Sequence, residues 1–157
     1  MNDSIIIIDY GSQYTQLIAR RIREKNVHSI ILPYDFKKDK LDKYNVKGFI
    51  LSGGPSSVYE KNSPYLPLNI FDFNKPILGI CYGLQLLIEN FKGIVSCSNT
   101  AEYGSANISI NKSSMLLENV SSSTEVWMSH GDKVTELPEK WVITSKSDNN
   151  IISSAEN

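Results

Sequence analysis

Four consecutive isoleucines, Ile5 to Ile8, sit between Ser4 and Asp9, and a run of that kind predicts a strand over Ser4 to Asp9 with both faces buried. The turn at Gly11-Ser12 then predicts a helix to about Glu24, with Ser12 as its N-cap and Leu17, Ile18 and Ile22 as its apolar stripe. A second strand is expected at His28 to Leu32 and a short helix at Asp39 to Tyr44. A third strand, Gly48 to Leu51, runs straight into Ser52-Gly53-Gly54-Pro55. Pro64 and Pro67 interrupt the next segment. Pro76 to Ile80 predicts a fourth strand, and Tyr82 to Asn90 a helix with Leu84, Leu87, Ile88 and Phe91 at helical spacing. Short apolar runs alternating with amphipathic stretches are the signature of βαβ units, so the first part predicts an open, mainly parallel sheet flanked by helices.

Beyond Gly93 the pattern changes to brief β-type runs between polar turns: Ile94-Val95, Ala106 to Ile110, Val126 to Met128, Trp141 to Ser145 and Ile151-Ile152. This texture predicts a partly antiparallel C-terminal portion of an α/β fold. Ser121-Ser122-Ser123 reads as a polar turn or a mobile loop, and the chain has no internal repeat or low-complexity linker.

Bulk properties narrow the field only modestly. With 157 residues and 41% hydrophobic content, residues 1–157 are expected to form one domain. A net charge of −1, from 16 basic and 17 acidic residues spread along the chain, offers no footprint for nucleic acid or an anionic membrane. The apolar run near the start is too short for a signal segment or a span, so a cytoplasmic location is expected. Two cysteines, Cys81 and Cys97, are too few for a disulfide framework, and with His28 and His130 near neither, no metal site is expected.

Candidate chemistry centres on Gly79-Ile80-Cys81-Tyr82-Gly83, a G-x-C-x-G pattern between a predicted strand and a predicted helix. It is the thiol counterpart of a nucleophile elbow. A sharp turn crowds the backbone at the nucleophile, so small residues are needed two positions to either side. The turn also sets the thiol at a helix N-terminus, which favours thiolate, and aims the Tyr82 N–H where an oxyanion would form. The plainer alternative is that Cys81 is a small core residue.

Three further segments compete for a role. Ser52-Gly53-Gly54-Pro55-Ser56 lacks the Gly-Lys-Ser/Thr of a P-loop, and no aspartate follows its glycines as in an ATP pyrophosphatase loop. Glycines at the carboxyl end of a parallel strand let the backbone approach a ligand, so this loop is either a second oxyanion donor or an ordinary Gly-Pro turn. Asp9-Tyr10-Gly11-Ser12-Gln13 closes the first strand, where Ser12 and Thr15 offer hydroxyls for phosphate; helix capping explains Ser12 at least as well. In Trp127-Met128-Ser129-His130-Gly131-Asp132, His130 is by chemistry alone the obvious base for Cys81, against a structural role in a polar turn.

Taken together, these segments resemble the class I glutamine amidotransferases, whose fold is flavodoxin-like, and the match narrows to the amidotransferase domain of the GMP synthases. The resemblance rests on Asp9-Tyr10-Gly11-Ser12-Gln13-Tyr14-Thr15-Gln16-Leu17, Leu51-Ser52-Gly53-Gly54-Pro55, Gly79-Ile80-Cys81-Tyr82-Gly83-Leu84-Gln85 and Trp127-Met128-Ser129-His130-Gly131-Asp132-Lys133-Val134, in the family's order. It implies a glutaminase in which Cys81 is the nucleophile and the Gly54 and Tyr82 N–H groups form the oxyanion hole. Ser56, Gln85 and the turn Ser129, His130, Gly131, Asp132 would hold L-glutamine, which makes His130 a substrate-side residue rather than a base. The ammonia would pass to an ATP pyrophosphatase, XMP-aminating domain or subunit that makes GMP. ATP and Mg²⁺ belong to that partner, and no cofactor is implied here.

The family's base and its orienting carboxylate lie in a Gly-x-Gln-Phe-His-Pro-Glu segment, expected just after Ala155-Glu156-Asn157 and not found in these residues. The chain therefore reads as an amidotransferase domain incomplete at its C-terminus, slow or inactive alone, with apolar surface left uncovered. The alternatives are a non-catalytic glutamine-binding or synthetase-docking module, and a different cysteine hydrolase that uses His130.

Overall fold

The computed structural model describes residues 2–112 and 114–157, without the side chains of 98–102 and 130. The chain falls into two compact units, one ending at Leu87 and the other beginning at Ile88. The first holds β1 (Asn2–Asp9), α1 (Thr15–Glu24), β2 (His28–Pro33), β3 (Tyr44–Leu51), β4 (Ile77–Gly79) and the start of α2 (Tyr82–Asn90). Its four strands are parallel, in the order β2-β1-β3-β4. β1 lies inside that sheet, which is why its isoleucines need no polar face: Ile6, Ile7 and Ile8 are fully buried, with Phe49 and Leu51 of β3 beside them. The register sets Asp9 against Pro33, Ile8 against Leu51 and Leu51 against Gly79. All four strands thus end at one edge, where Tyr10, Tyr34, Ser52 and Ile80 begin the loops.

The α/β class is as the sequence predicts, with differences at element ends. Ser12 is not the N-cap of α1. The helix starts at Thr15, its cap residue Tyr14 makes no side-chain cap bond, and Ser12 Oγ instead accepts from the Tyr14 N–H at 3.1 Å inside the preceding turn. Asp9 takes over the tying role, since its Oδ1 accepts from the Gly11 N–H at 3.0 Å and from Thr15 Oγ1 at 2.8 Å. The short helix expected at Asp39 to Tyr44 is a 3₁₀ turn at Lys38–Leu41, and Tyr44 already belongs to β3. A second 3₁₀ turn, Leu68–Phe73, was not expected. Pro67 precedes it and Asn74, left-handed at φ 47°, ends it. The apolar stripe of α1 is only partly covered: Leu17 is 43% exposed, and Leu17, Ile18 and Ile22 line an apolar groove of about 550 Å³ with Ile5 and Val27.

The second unit holds β5 (Ile94–Ile110), β6 (Ser123–Glu136), β7 (Val142–Ser147) and β8 (Ile152–Glu156), antiparallel in the order β6-β5-β7-β8. Ile94-Val95 and Ala106 to Ile110, read separately in the sequence, belong to one long strand whose pairing with β6 is irregular between Cys97 and Glu102. Ser123, expected in a turn, is the first residue of β6. The Ser129 to Asp132 segment is not a turn either. It lies within β6, where Ser129, His130 and Asp132 pair with Tyr103, Glu102 and Cys97. The backbone ladder along this stretch outweighs the turn preference of Ser, Gly and Asp.

Candidate active site

Cys81 stands in the joint between β4 and α2 with φ 48°, the left-handed region that a side chain with a Cβ rarely adopts. Two glycines make the joint fit, and they do so by packing. A Cβ on Gly79 would fall 2.6 Å from Leu84 Cα, and one on Gly83 would fall 2.4 Å from the Leu51 carbonyl oxygen. Each touches backbone that cannot give way, so the G-x-C-x-G spacing records two close contacts around a strained nucleophile. The Gly83 N–H donates to Ser52 O at 3.1 Å, the Ile80 N–H to Leu51 O at 2.9 Å and the Gln85 N–H to Cys81 O at 3.0 Å. The elbow is thereby fastened to the end of β3 and to the first turn of α2.

The Ser52-Gly53-Gly54-Pro55 loop comes to the same place. A Cβ on Gly53 would lie 3.5 Å from Cys81 Cβ, and one on Gly54 only 2.5 Å from the Tyr10 carbonyl oxygen. Glycine at Gly54 therefore lets the backbone pass close to the end of β1, while a Cβ at Gly53 would meet Cys81 in ordinary contact. Ser52 is fully buried, and its Oγ accepts from the Tyr10 N–H at 3.0 Å and donates to Gly53 O at 2.9 Å. No role was expected for this side chain, although its place directly before two glycines at a strand end was the available signal. Tyr10 is also buried, 5.4 Å from the Tyr82 ring, while Tyr82 Oη donates to Pro64 O at 2.6 Å. The Tyr10 hydroxyl has no hydrogen-bond partner among the described residues; burial, with Tyr82 adding to it, pushes its titration far up and keeps it neutral.

Cys81 keeps solvent-exposed surface, yet enough protein surrounds its sulfur that burial pushes the thiol above its ordinary value. Desolvation of the charged form opposes the preference for thiolate expected at the helix N-terminus. The structure brings Cys81, Tyr82 and the Gly53-Gly54 backbone together. Gln85 is buried on α2 and Ser56 half-buried just beyond Pro55, both in the same unit. Ser129, Gly131 and Asp132 lie on β6 in the other unit, and the His130 side chain is outside the described residues. His28 opens β2, its Nδ1 2.8 Å from Ser4 Oγ, at the end of the strands opposite to the elbow. Among the described residues no helix is long and apolar enough to cross a membrane.

A left-handed cysteine at a strand-to-helix joint of a parallel sheet, with glycines packed on either side, defines an α/β protein of the thiol-elbow class. The family model for Glutamine amidotransferase class-I matches residues 6–157, and the chain belongs to that family. It is 50% identical over 155 residues to a GMP synthase [glutamine-hydrolyzing] of Petrotoga mobilis, covering 99% of this chain and 30% of that protein. A protein of the same name from Thermosipho africanus is 46% identical over 147 residues, covering 94% of this chain and 28% of the relative. The chain therefore spans less than a third of these relatives. Among solved structures, a GMP synthase subunit of Thermoplasma acidophilum superposes with a TM-score of 0.88 at 28% identity, over 100% of this chain and 79% of that one. A glutamine amidotransferase of Thermotoga maritima, at TM-score 0.79 and 20% identity over 99% and 72% of the two chains, shares the fold.

Proposed function

We propose that this chain is the glutamine-hydrolysing part of a cytoplasmic GMP synthase. Cys81 Sγ attacks the side-chain carbonyl carbon of L-glutamine, and the carbonyl oxygen becomes an oxyanion facing the N–H groups of Gly54 and Tyr82. Collapse of that intermediate breaks the C–N bond. The nitrogen leaves as ammonia, taking the proton that the thiol gave up, and a thioester remains on Cys81. Water then adds to the thioester through a second oxyanion, releasing glutamate and restoring the thiol. Ser56, Gln85 and the Ser129, His130, Gly131, Asp132 segment are proposed to hold the substrate. The ammonia would serve an ATP- and Mg²⁺-dependent partner domain or subunit that converts XMP to GMP. That step is supported by the names of the GMP synthase relatives and lies outside the residues of this chain.

The observation that carries this reading is the elbow itself: a cysteine held at φ 48° between two glycines, with the Gly53-Gly54 backbone against it. A core cysteine would need none of that strain. Burial that pushes the thiol up favours slow turnover by these residues alone, and it is also what favours the second reading, a module that captures glutamine without hydrolysing it. A glutamine-derived chloroketone tests the proposal. Selective labelling of Cys81 over Cys97, slowed by free L-glutamine and mapped by mass spectrometry, is expected. Labelling indifferent to glutamine would sink it. Ammonia release by the labelling-competent protein separates the hydrolytic reading from the binding one.

A further inference from the structure

We propose that Ser52 is a positioning residue for glutamine hydrolysis, its hydroxyl locking the Gly53–Gly54 peptide so that the Gly54 N–H stays turned towards the reacting oxygen. The inference rests on the glutaminase reading above and adds a residue to it.

The argument begins with two glycines in a row. Rotating the peptide between them about its flanking bonds meets no Cβ on either side, so this peptide is the easiest in the loop to turn over. Turning it would put the Gly53 carbonyl where the Gly54 N–H should be, and an acceptor there repels an oxyanion. No peptide among the described residues is cis, so in the Gly53–Gly54 peptide the carbonyl and the N–H point in opposite directions. Whatever holds the Gly53 carbonyl therefore also aims the Gly54 N–H. Ser52 Oγ holds it, at 2.9 Å. The hydroxyl has one proton to give, and the Tyr10 N–H, donating into the same oxygen at 3.0 Å, leaves that proton directed at Gly53.

Ser52 is itself held on several sides. It is fully buried, its N–H donates to Ile8 O at 3.0 Å, and its carbonyl accepts from Gly83 at 3.1 Å. One residue thus ties the end of β1, the end of β3 and the elbow to the orientation of a single peptide. No described residue accepts from the Gly54 N–H, and Gly53 faces the Cys81 side chain, which a Cβ added at Gly53 would just touch. Loss of one oxyanion donor costs about two to three orders of magnitude in comparable sites, and misorientation for part of the time costs less.

The test compares two reagents on Cys81 in this chain and in Ser52→Ala. A glutamine chloroketone carries a carbonyl oxygen that needs the donors, while iodoacetamide alkylates by simple displacement and reports only on thiol access and ionisation. Ser52→Ala is expected to slow the chloroketone roughly tenfold or more while leaving the iodoacetamide rate within about twofold. Equal chloroketone rates in the two proteins overturn the lock. If Ser52→Ala loses its fold, shown by both rates moving together and by a lost unfolding transition, Ser52→Cys decides. It keeps the volume with a weaker donor, and its Cys81 peptide must show the same selective loss or the lock is overturned. Absence of glutamine protection in the unsubstituted protein would instead overturn the glutaminase reading, a distinct result.

Discussion

The left-handed backbone of Cys81 carries a penalty that glycine would not, of the order of 1–2 kcal/mol for a residue with a Cβ. Cys81→Gly is therefore expected to be more stable than Cys81→Ala by about 1 kcal/mol by urea unfolding, with both unlabelled at this position. Equal stabilities would show that the elbow stores no strain. The thiol makes a second prediction at the same residue. Because burial raises its titration, the thiol form predominates in the folded protein at neutral pH, and alkylation of Cys81 should rise with pH along a curve displaced to the alkaline side of a small-molecule thiol. The sign for stability follows: what the neutral thiol contributes is complete below the unfolded thiol's titration and is lost as pH rises through the folded one. An iodoacetamide rate profile, with and without denaturant, checks the displacement. The elbow was legible in sequence because its glycines and cysteine have fixed spacing. The burial of the thiol was not, since local sequence shows the helix N-terminus but not how much protein surrounds the sulfur.

At the scale of elements, α1 shows how a short-range signal is diverted. Ser12 has the chemistry of an N-cap, but Asp9, bonded to both Gly11 and Thr15, sets the start of the helix three residues later. Asp9→Ala is expected to cost about 1 kcal/mol in urea unfolding, with Ser12→Ala costing less. The reverse order would restore Ser12 as the cap. Strands β1 to β4 were read within a few residues because buried parallel strands announce themselves as apolar runs. β5 and β6 were read only as fragments. Their residues alternate between exposed and half-buried for most of their length, with Tyr103 72% and Trp127 74% exposed, so long paired strands carried little hydrophobic signal. For the same reason Ser129 to Asp132 looked like a turn.

Considered as a whole molecule, the chain concentrates its recognisable chemistry in the first unit, where β1, β3 and β4 deliver Tyr10, the Ser52 loop and Cys81 to one edge. The groove along α1 belongs to that unit too. Its apolar lining predicts binding of a hydrophobic dye, reduced by Leu17→Gln, a substitution at a 43% exposed position that should change stability by less than about 1 kcal/mol. Unchanged dye binding would place the exposed apolar surface elsewhere. The strand that carries the nucleophile has a consequence of its own. β4 is three residues long and, among the described residues, pairs only with β3, at the edge of the sheet. Short edge strands fray first, so the amides of Ile77–Gly79 should exchange with solvent through local openings well below the cost of global unfolding. Cys81 follows that short ladder by two residues. Anything that pairs with the side of β4 left open among the described residues would steady the nucleophile without touching its sulfur, which makes the sheet edge a lever on reactivity.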